Sequence, residues 1–268
     1  MSSIDGRGPF QDLIANKALV IRLVRRDIKG RYQGSVFGTL WSFATPLMLL
    51  LAYWFVLGTV LQARFGNAPQ AAYPVVLFAG LIIHLFSAEV IGRAPGLIIE
   101  HATYVKKVLF PLTVLPWMTL ATAAFHFLVN LSILLVGQWL ILGSVPATWP
   151  LVVVVMLPLV PLLLGLSWLL SAFSVFLRDL QQVVPLVLTM MMFLSPIFFP
   201  MELVPDKYKP FMYLNPTTTI VLQARRVMLE GVLPDVQALC LYLFVAILMM
   251  AVGYWAFHRT RKGFADVL

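Results

Sequence analysis

The sequence predicts an all-α integral membrane protein. We expect six transmembrane helices, an N-terminal interfacial amphipathic helix, and short re-entrant or gate helices between spans five and six. Three observations carry this. The chain is 61% hydrophobic and 11% charged, with a mean hydropathy of +0.92; soluble domains are about 45–50% apolar and about 25% charged. No Lys, Arg, Asp or Glu occurs from Val108 to Leu177, or from Leu180 to Met201. Between those two blocks stands one adjacent pair of opposite charges, Arg178 and Asp179. A charge at the bilayer centre costs about 3 kcal/mol even on the insertion scale. Arg178-Asp179 therefore marks a turn between two spans.

The elements follow in order. Residues 8–33 are basic and amphipathic: Phe10, Leu13, Ile14, Ile21, Val24 and Ile28 recur at helical spacing, with Arg22, Arg25, Arg26 and Lys29 largely off that stripe. Such a helix lies in the headgroup plane. Spans are expected at about 36–61, 73–91, 112–142, 151–177, 181–200 and 236–257, against a need for about 20 residues each. The first is long enough to tilt or kink at Pro46. Glu89 and Arg93 stand four apart near the end of the second, a spacing that pairs charges along a helix. Pro95-Gly96 then breaks the helix, and residues 97–108 form a short amphipathic piece. Pro196 and Pro200 end the fifth span. Residues 201–235 mix charges with apolar pieces, which suggests short surface or partly re-entrant helices. All of it forms one transmembrane domain over 1–268.

Fourteen of the nineteen Lys and Arg residues fall in the N-terminal segment, the 93–110 connection, the Arg178 turn and the C-terminal tail. The positive-inside rule puts both termini in the cytoplasm. The net charge of +8 then serves anionic headgroups, not nucleic acid. Met1 precedes a polar stretch, so no cleavable signal peptide is expected. Cys240 is the single cysteine, which leaves no disulfide framework within the chain.

Catalytic chemistry has little to stand on. There is no P-loop motif, no His-Glu-x-x-His and no Gly-x-Ser-x-Gly. His84, His101, His126 and His258 are scattered, and we expect no metal site, no catalytic residue and no cofactor in this chain. The spans lack the central acids of ion-coupled carriers. Glu202 and Asp206 suit a solvated loop better than an acid–base pair. What remains is a six-span body with an amphipathic basic entry helix and no internal energy source.

Four stretches resemble a known family. Residues 26–47, Arg-Asp-Ile-Lys-Gly-Arg-Tyr-Gln-Gly-Ser-Val-Phe-Gly-Thr-Leu-Trp-Ser-Phe-Ala-Thr-Pro-Leu, resemble the first segment of type-2 ABC exporter permeases for cell-surface polysaccharides. Tyr104-Val-Lys-Lys-Val-Leu-Phe-Pro111 with Leu115-Pro116, the hairpin from Phe176 to Pro200, and Asn215-Pro216 followed by Arg225 resemble later motifs of that family, in order. The chain is similar to O-antigen (lipopolysaccharide) export permeases, with capsule and teichoic acid permeases as relatives. Drug or lipid efflux permeases of the same superfamily, and a membrane enzyme, are the alternatives.

The resemblance implies a homodimer in the bacterial inner membrane bound to two copies of an ABC ATPase, which would hold ATP and Mg. The substrate would be a lipid-linked polysaccharide. Glu100, His101, Tyr104, Val105, Lys106 and Lys107 would couple to the ATPase, with Arg178 and Asp179 as a second contact. Arg22, Arg25, Arg26, Lys29 and Arg31 would lie where the lipid diphosphate is admitted; topology signal and lipid contact explain them equally well. Pro196, Pro200, Asn215, Pro216 and Arg225 would belong to the outer gate. Where that family carries Asn-x-Asn-Leu-Ile ahead of the Lys pair, this chain has His101-Ala-Thr-Tyr-Val.

Overall fold

A computed structural model describes residues 8–62, 65–66, 72–105 and 110–268. All regular structure among them is helical. In chain order the α-helices are α1 Pro9–Ala15, α2 Lys17–Tyr32, α3 Trp41–Tyr53, α4 Tyr73–Arg93, α5 Ala102–Val105, α6 Val114–Leu142, α7 Val152–Met156, α8 Leu159–Ser174, α9 Leu180–Phe193, α10 Lys209–Leu214, α11 Pro216–Arg225, α12 Val236–Thr260 and α13 Phe264–Val267. α3 continues as a wider π-helical stretch through Trp54–Val60, and α11 through Arg226–Glu230.

Five helical stretches are long and apolar enough to cross a membrane: Trp41–Val60, Tyr73–Gly96, Val114–Leu142, Trp149–Ser174 and Val236–Val267. α9 is a shorter apolar helix of 14 residues, about 21 Å long, less than a hydrocarbon core of about 30 Å. This corrects the expected fifth span of 181–200. α9 stops at Phe193, and residues 194–200 continue as turns. The residue before a proline is disfavoured in the α region, so Pro196 ends the helix upstream of itself.

α4 is the central helix, buried along most of its length and packed against α6, α8, α9 and α11. α8 and α12 form the other intimate pair. Two glycines permit it: a Cβ on Gly165 would stand 2.5 Å from the Met249 carbonyl oxygen, and one on Gly253 would strike the Gly165 carbonyl. Small residues let helix backbones approach in lipid, where dispersion replaces the hydrophobic effect. α3 and α9 instead leave apolar side chains open, among them Phe43, Phe55, Leu186 and Phe193.

α6 has 29 residues, about 43 Å at 1.5 Å per residue, and overshoots the hydrocarbon core by about 13 Å. One end of α6 packs with α1 and α2, and we call it the basic end. A Cβ on Gly137 would lie 3.0 Å from Leu50, so α3 begins beside the middle of α6, near His126.

The amphipathic segment is two helices, divided at Asn16. Val20 and Leu23 are buried against the body. Phe10, Ile14 and Ile21 of the predicted stripe are more than half exposed. The segment has one apolar face on protein and another left for lipid. Arg178 and Asp179 sit exposed in the turn between α8 and α9, and their side chains form no ion pair with each other.

Candidate functional site

Polar side chains gather at two places. The first is at the basic end, between α2, α4 and α6. Arg93 Nη1 and Nη2 donate to Asp27 Oδ2 and Oδ1 at 2.8 and 2.7 Å, a bidentate pair. One helical turn along, Arg31 Nη2 lies 2.8 Å from Glu89 Oε1. Glu89 Oε2 also lies 2.9 Å from His126 Nδ1, and Tyr32 Oη lies 3.2 Å from His126 Nε2. Arg31 Nη1 also lies 3.2 Å from His126 Nδ1, so Arg31, Tyr32, Glu89 and His126 form one polar cluster. Burial opposes ionisation of Asp27; the hydrogen bonds and charge of Arg93 outweigh it and hold the carboxyl below the usual aspartate range.

This corrects the expected Glu89–Arg93 pairing. Each has taken a partner on α2, where a desolvated, two-point contact exceeds an exposed i,i+4 pair. A second tie holds α1: Thr113 Oγ1 and Tyr254 Oη both donate to buried Asp12 Oδ2 at 2.9 Å. The basic helix is therefore latched at several points.

The five predicted diphosphate residues are not gathered into one pocket. Arg31 is taken up by Glu89, and Arg26 Nη1 donates to Tyr104 Oη at 2.7 Å. Arg22, Arg25 and Lys29 are exposed. Among the described residues of the predicted coupling segment, Ala102–Val105 are α-helical, with His101, Tyr104 and Phe110 stacked in succession. Glu100 is exposed. Lys106 and Lys107 lie outside the described residues. The Ala94–Gly96 turn packs on both α8 and α9, so this segment and the Arg178 turn share the basic end.

The second place is at the opposite end, where the structure brings the predicted gate residues together. Arg225 is 5% exposed. Its Nε donates to the Val76 carbonyl at 3.1 Å, Nη2 to Ile197 at 2.8 Å, and Nη1 to Pro196. The Phe65 ring centroid lies 4.6 Å from its Cζ. A Cβ on Gly80 would stand 2.8 Å from Nη2, so the glycine keeps room for the guanidinium.

Asn215 completes the knot. Its Oδ1 accepts from the Thr217 amide at 3.0 Å, capping α11. Its Nδ2 donates to the carbonyls of Met191 at 2.6 Å and Leu194 at 3.1 Å. The last carbonyls of a helix lack internal partners; Asn215 meets that of Met191 in α9 and that of Leu194 just beyond it, and Arg225 those of Pro196 and Ile197. Tyr73 Oη donates to the Phe198 carbonyl, and Tyr242 Oη to that of Pro216. Pro200 lines a neighbouring cleft. Fixed donors on α11 thus hold the broken end of α9 against α4.

Sequence reasoning missed Asp27, Tyr32, Glu89, Arg93 and His126 as one cluster. The available signal was His126 itself, a polar ring in an otherwise uncharged span, which needs a partner there.

Comparison with known proteins agrees with this architecture. The ABC-2 type transporter family model matches residues 18–229. The O-antigen export system permease protein RfbA of Myxococcus xanthus is 29% identical over 263 residues, covering 96% of this chain and 97% of that protein. An O-antigen export system permease protein RfbA of Klebsiella pneumoniae is 27% identical over 256 residues, 93% and 95% of the two chains. The polysialic acid transport protein KpsM of Escherichia coli is 24% identical over 254 residues, 92% and 94%. With the multi-pass helical body and a family match over residues 18–229, from α2 to beyond α11, this chain belongs to the ABC-2 type transporter family.

Proposed function

We propose that this chain is the membrane-spanning subunit of an ATP-driven exporter. It moves a lipid-linked polysaccharide of O-antigen type from the cytoplasmic to the outer face of the inner membrane. The observation that carries the reading is the end-to-end likeness to O-antigen export permeases, 96% of one chain against 97% of the other. Export of a capsular polymer is the second reading, favoured by the 24% likeness to a polysialic acid transport protein.

In this reading the basic end faces the cytoplasm. Two copies of the chain meet through the open apolar faces of α3 and α9. Two copies of a partner ATPase, which binds ATP and Mg, press on residues 100–107 and on the Arg178-Asp179 turn. The latch of α2 on α4 and α6 passes that push into the body. The Arg225 knot holds the outer end closed until α9 and α11 part. Arg22, Arg25 and Lys29 are the exposed cations left to meet the lipid diphosphate by charge-assisted hydrogen bonds.

Gentle extraction of the tagged chain tests this. A P-loop ATPase should co-purify, and deleting the gene should remove surface glycan. A chain that never brings down an ATPase contradicts the reading. Lys106→Glu with Lys107→Glu should abolish export while the protein still folds and inserts; normal surface glycan in that variant contradicts the coupling assignment.

A further inference from the structure

A cleft of about 1000 Å³ opens between α8, α11 and α12, and Phe65, Pro200 and Arg225 also line it. Its depths are aliphatic: Leu162 and Leu166 of α8, and Leu241, Val245 and Met249 of α12. Its mouth carries Arg226, Glu202, Glu230 and Asp235. From Asp235 to Met249 the cleft follows α12 for about 21 Å, somewhat more than one leaflet's hydrocarbon of about 15 Å. It therefore runs from headgroup depth to the bilayer midplane. Leu241 and Val245 are more than half exposed, so this wall faces lipid.

Among the described residues, the mouth carries charges without a hydrogen-bonded side-chain partner, with Glu230 and Glu202 near enough to act on the Arg225 charge. Arg226, Glu202 and Glu230 form no ion pair or side-chain hydrogen bond among the described residues, while Asp235 caps α12 at the Ala238 amide. A guanidinium and carboxylates held apart around one opening complement a ligand that carries both an anion and a cation. The aliphatic depth complements a hydrocarbon chain. A primary ammonium donates hydrogen bonds to carboxylates, which a quaternary one cannot.

We propose that this cleft is a binding site for a zwitterionic phospholipid of the phosphatidylethanolamine type. Its phosphate meets Arg226, its ammonium meets Glu202 and Glu230, and an acyl chain fills the groove between α8 and α12. Arg225, the neighbour of Arg226 in sequence, also lines this cleft, while its guanidinium is held in the knot. The lipid thus braces α11 beside the knot. The proposal does not depend on what the protein exports.

Native mass spectrometry of the full chain, with whatever partner co-purifies, tests it. After detergent washing, phosphatidylethanolamine, phosphatidylcholine and phosphatidylglycerol of matched chains are added in turn. Phosphatidylethanolamine should be retained at one per chain, roughly tenfold more tightly than the other two, the worth of about one charge-assisted hydrogen bond. Ala238→Trp, which fills the mouth, should lose it. Glu202→Gln with Glu230→Gln should erase the preference over phosphatidylglycerol. Equal retention of all three lipids, or retention unchanged by Ala238→Trp, overturns the proposal. If Ala238→Trp fails to elute as folded protein, the exposed glutamine pair decides alone, and an unchanged preference refutes the site.

Discussion

Replacing Arg225 by Lys isolates the geometry of the gate-end knot from its charge. The guanidinium reaches three carbonyls on two separate segments, Val76 on α4 and Pro196 and Ile197 beyond α9. An ammonium is one point at the end of a flexible stem and cannot span that fork. At least two buried carbonyls lose their partner, each costing about 1–3 kcal/mol. About 3 kcal/mol is the expected loss, which corresponds to a fall in Tm of roughly 6–12 °C for a chain of this size. Thermal unfolding in detergent measures it, and hydrogen exchange across residues 194–200 should quicken in the same variant. Arg225→Lys that melts with the wild type and leaves that segment protected would mean the three hydrogen bonds do not hold the end of α9, and the knot would have to be abandoned.

Other perturbations probe the remaining contacts. Gly253→Val places side-chain atoms against the Gly165 carbonyl, so α8 and α12 must separate; overpacking of this kind costs about 1–3 kcal/mol or more, and a sharp loss of monodisperse protein on size-exclusion chromatography is expected. The Asp27–Arg93 pair is tested by pH. Because the folded carboxyl is held below its ordinary value, its contribution is full above the ordinary aspartate range and disappears only as pH falls through the depressed value. Asp27→Asn imitates that acid state at neutral pH, and should speed tryptic cleavage at Arg22 and Arg25 as α2 lifts from the body. An unchanged cleavage rate would show that the other latch contacts hold α2 by themselves.

Much of the architecture is legible in the chain because lipid is a strict solvent. The uncharged runs on either side of Arg178-Asp179 leave the turn nowhere else to be. Pro196 ends α9 for a local steric reason, although the helix stops earlier than the proline alone suggests. Asn215-Pro216 and Arg225 are visible as a motif, and they do converge. The basic-end cluster is hidden for a different reason. Glu89 and Arg93 satisfy a local pairing rule, and the folded chain overrides it because α2 brings Asp27 and Arg31 to the same depth. Likewise Phe10, Ile14 and Ile21 share a helical stripe with residues that pack on protein, yet they face outward, since an amphipathic helix at an interface has two apolar neighbours.

By itself the sequence determined that this chain is a helical membrane protein, where its charges can stand, and which short motifs break its spans. Those follow from hydropathy and backbone sterics, which act within a few residues. Only the tertiary structure decided which charge meets which, how Arg225 and Asn215 satisfy the open end of α9, and that Gly80, Gly165 and Gly253 are spaces kept for a neighbour. A buried donor is satisfied by whatever acceptor the fold delivers, and residues as far apart as Val76 and Arg225 become partners only when the helices have packed.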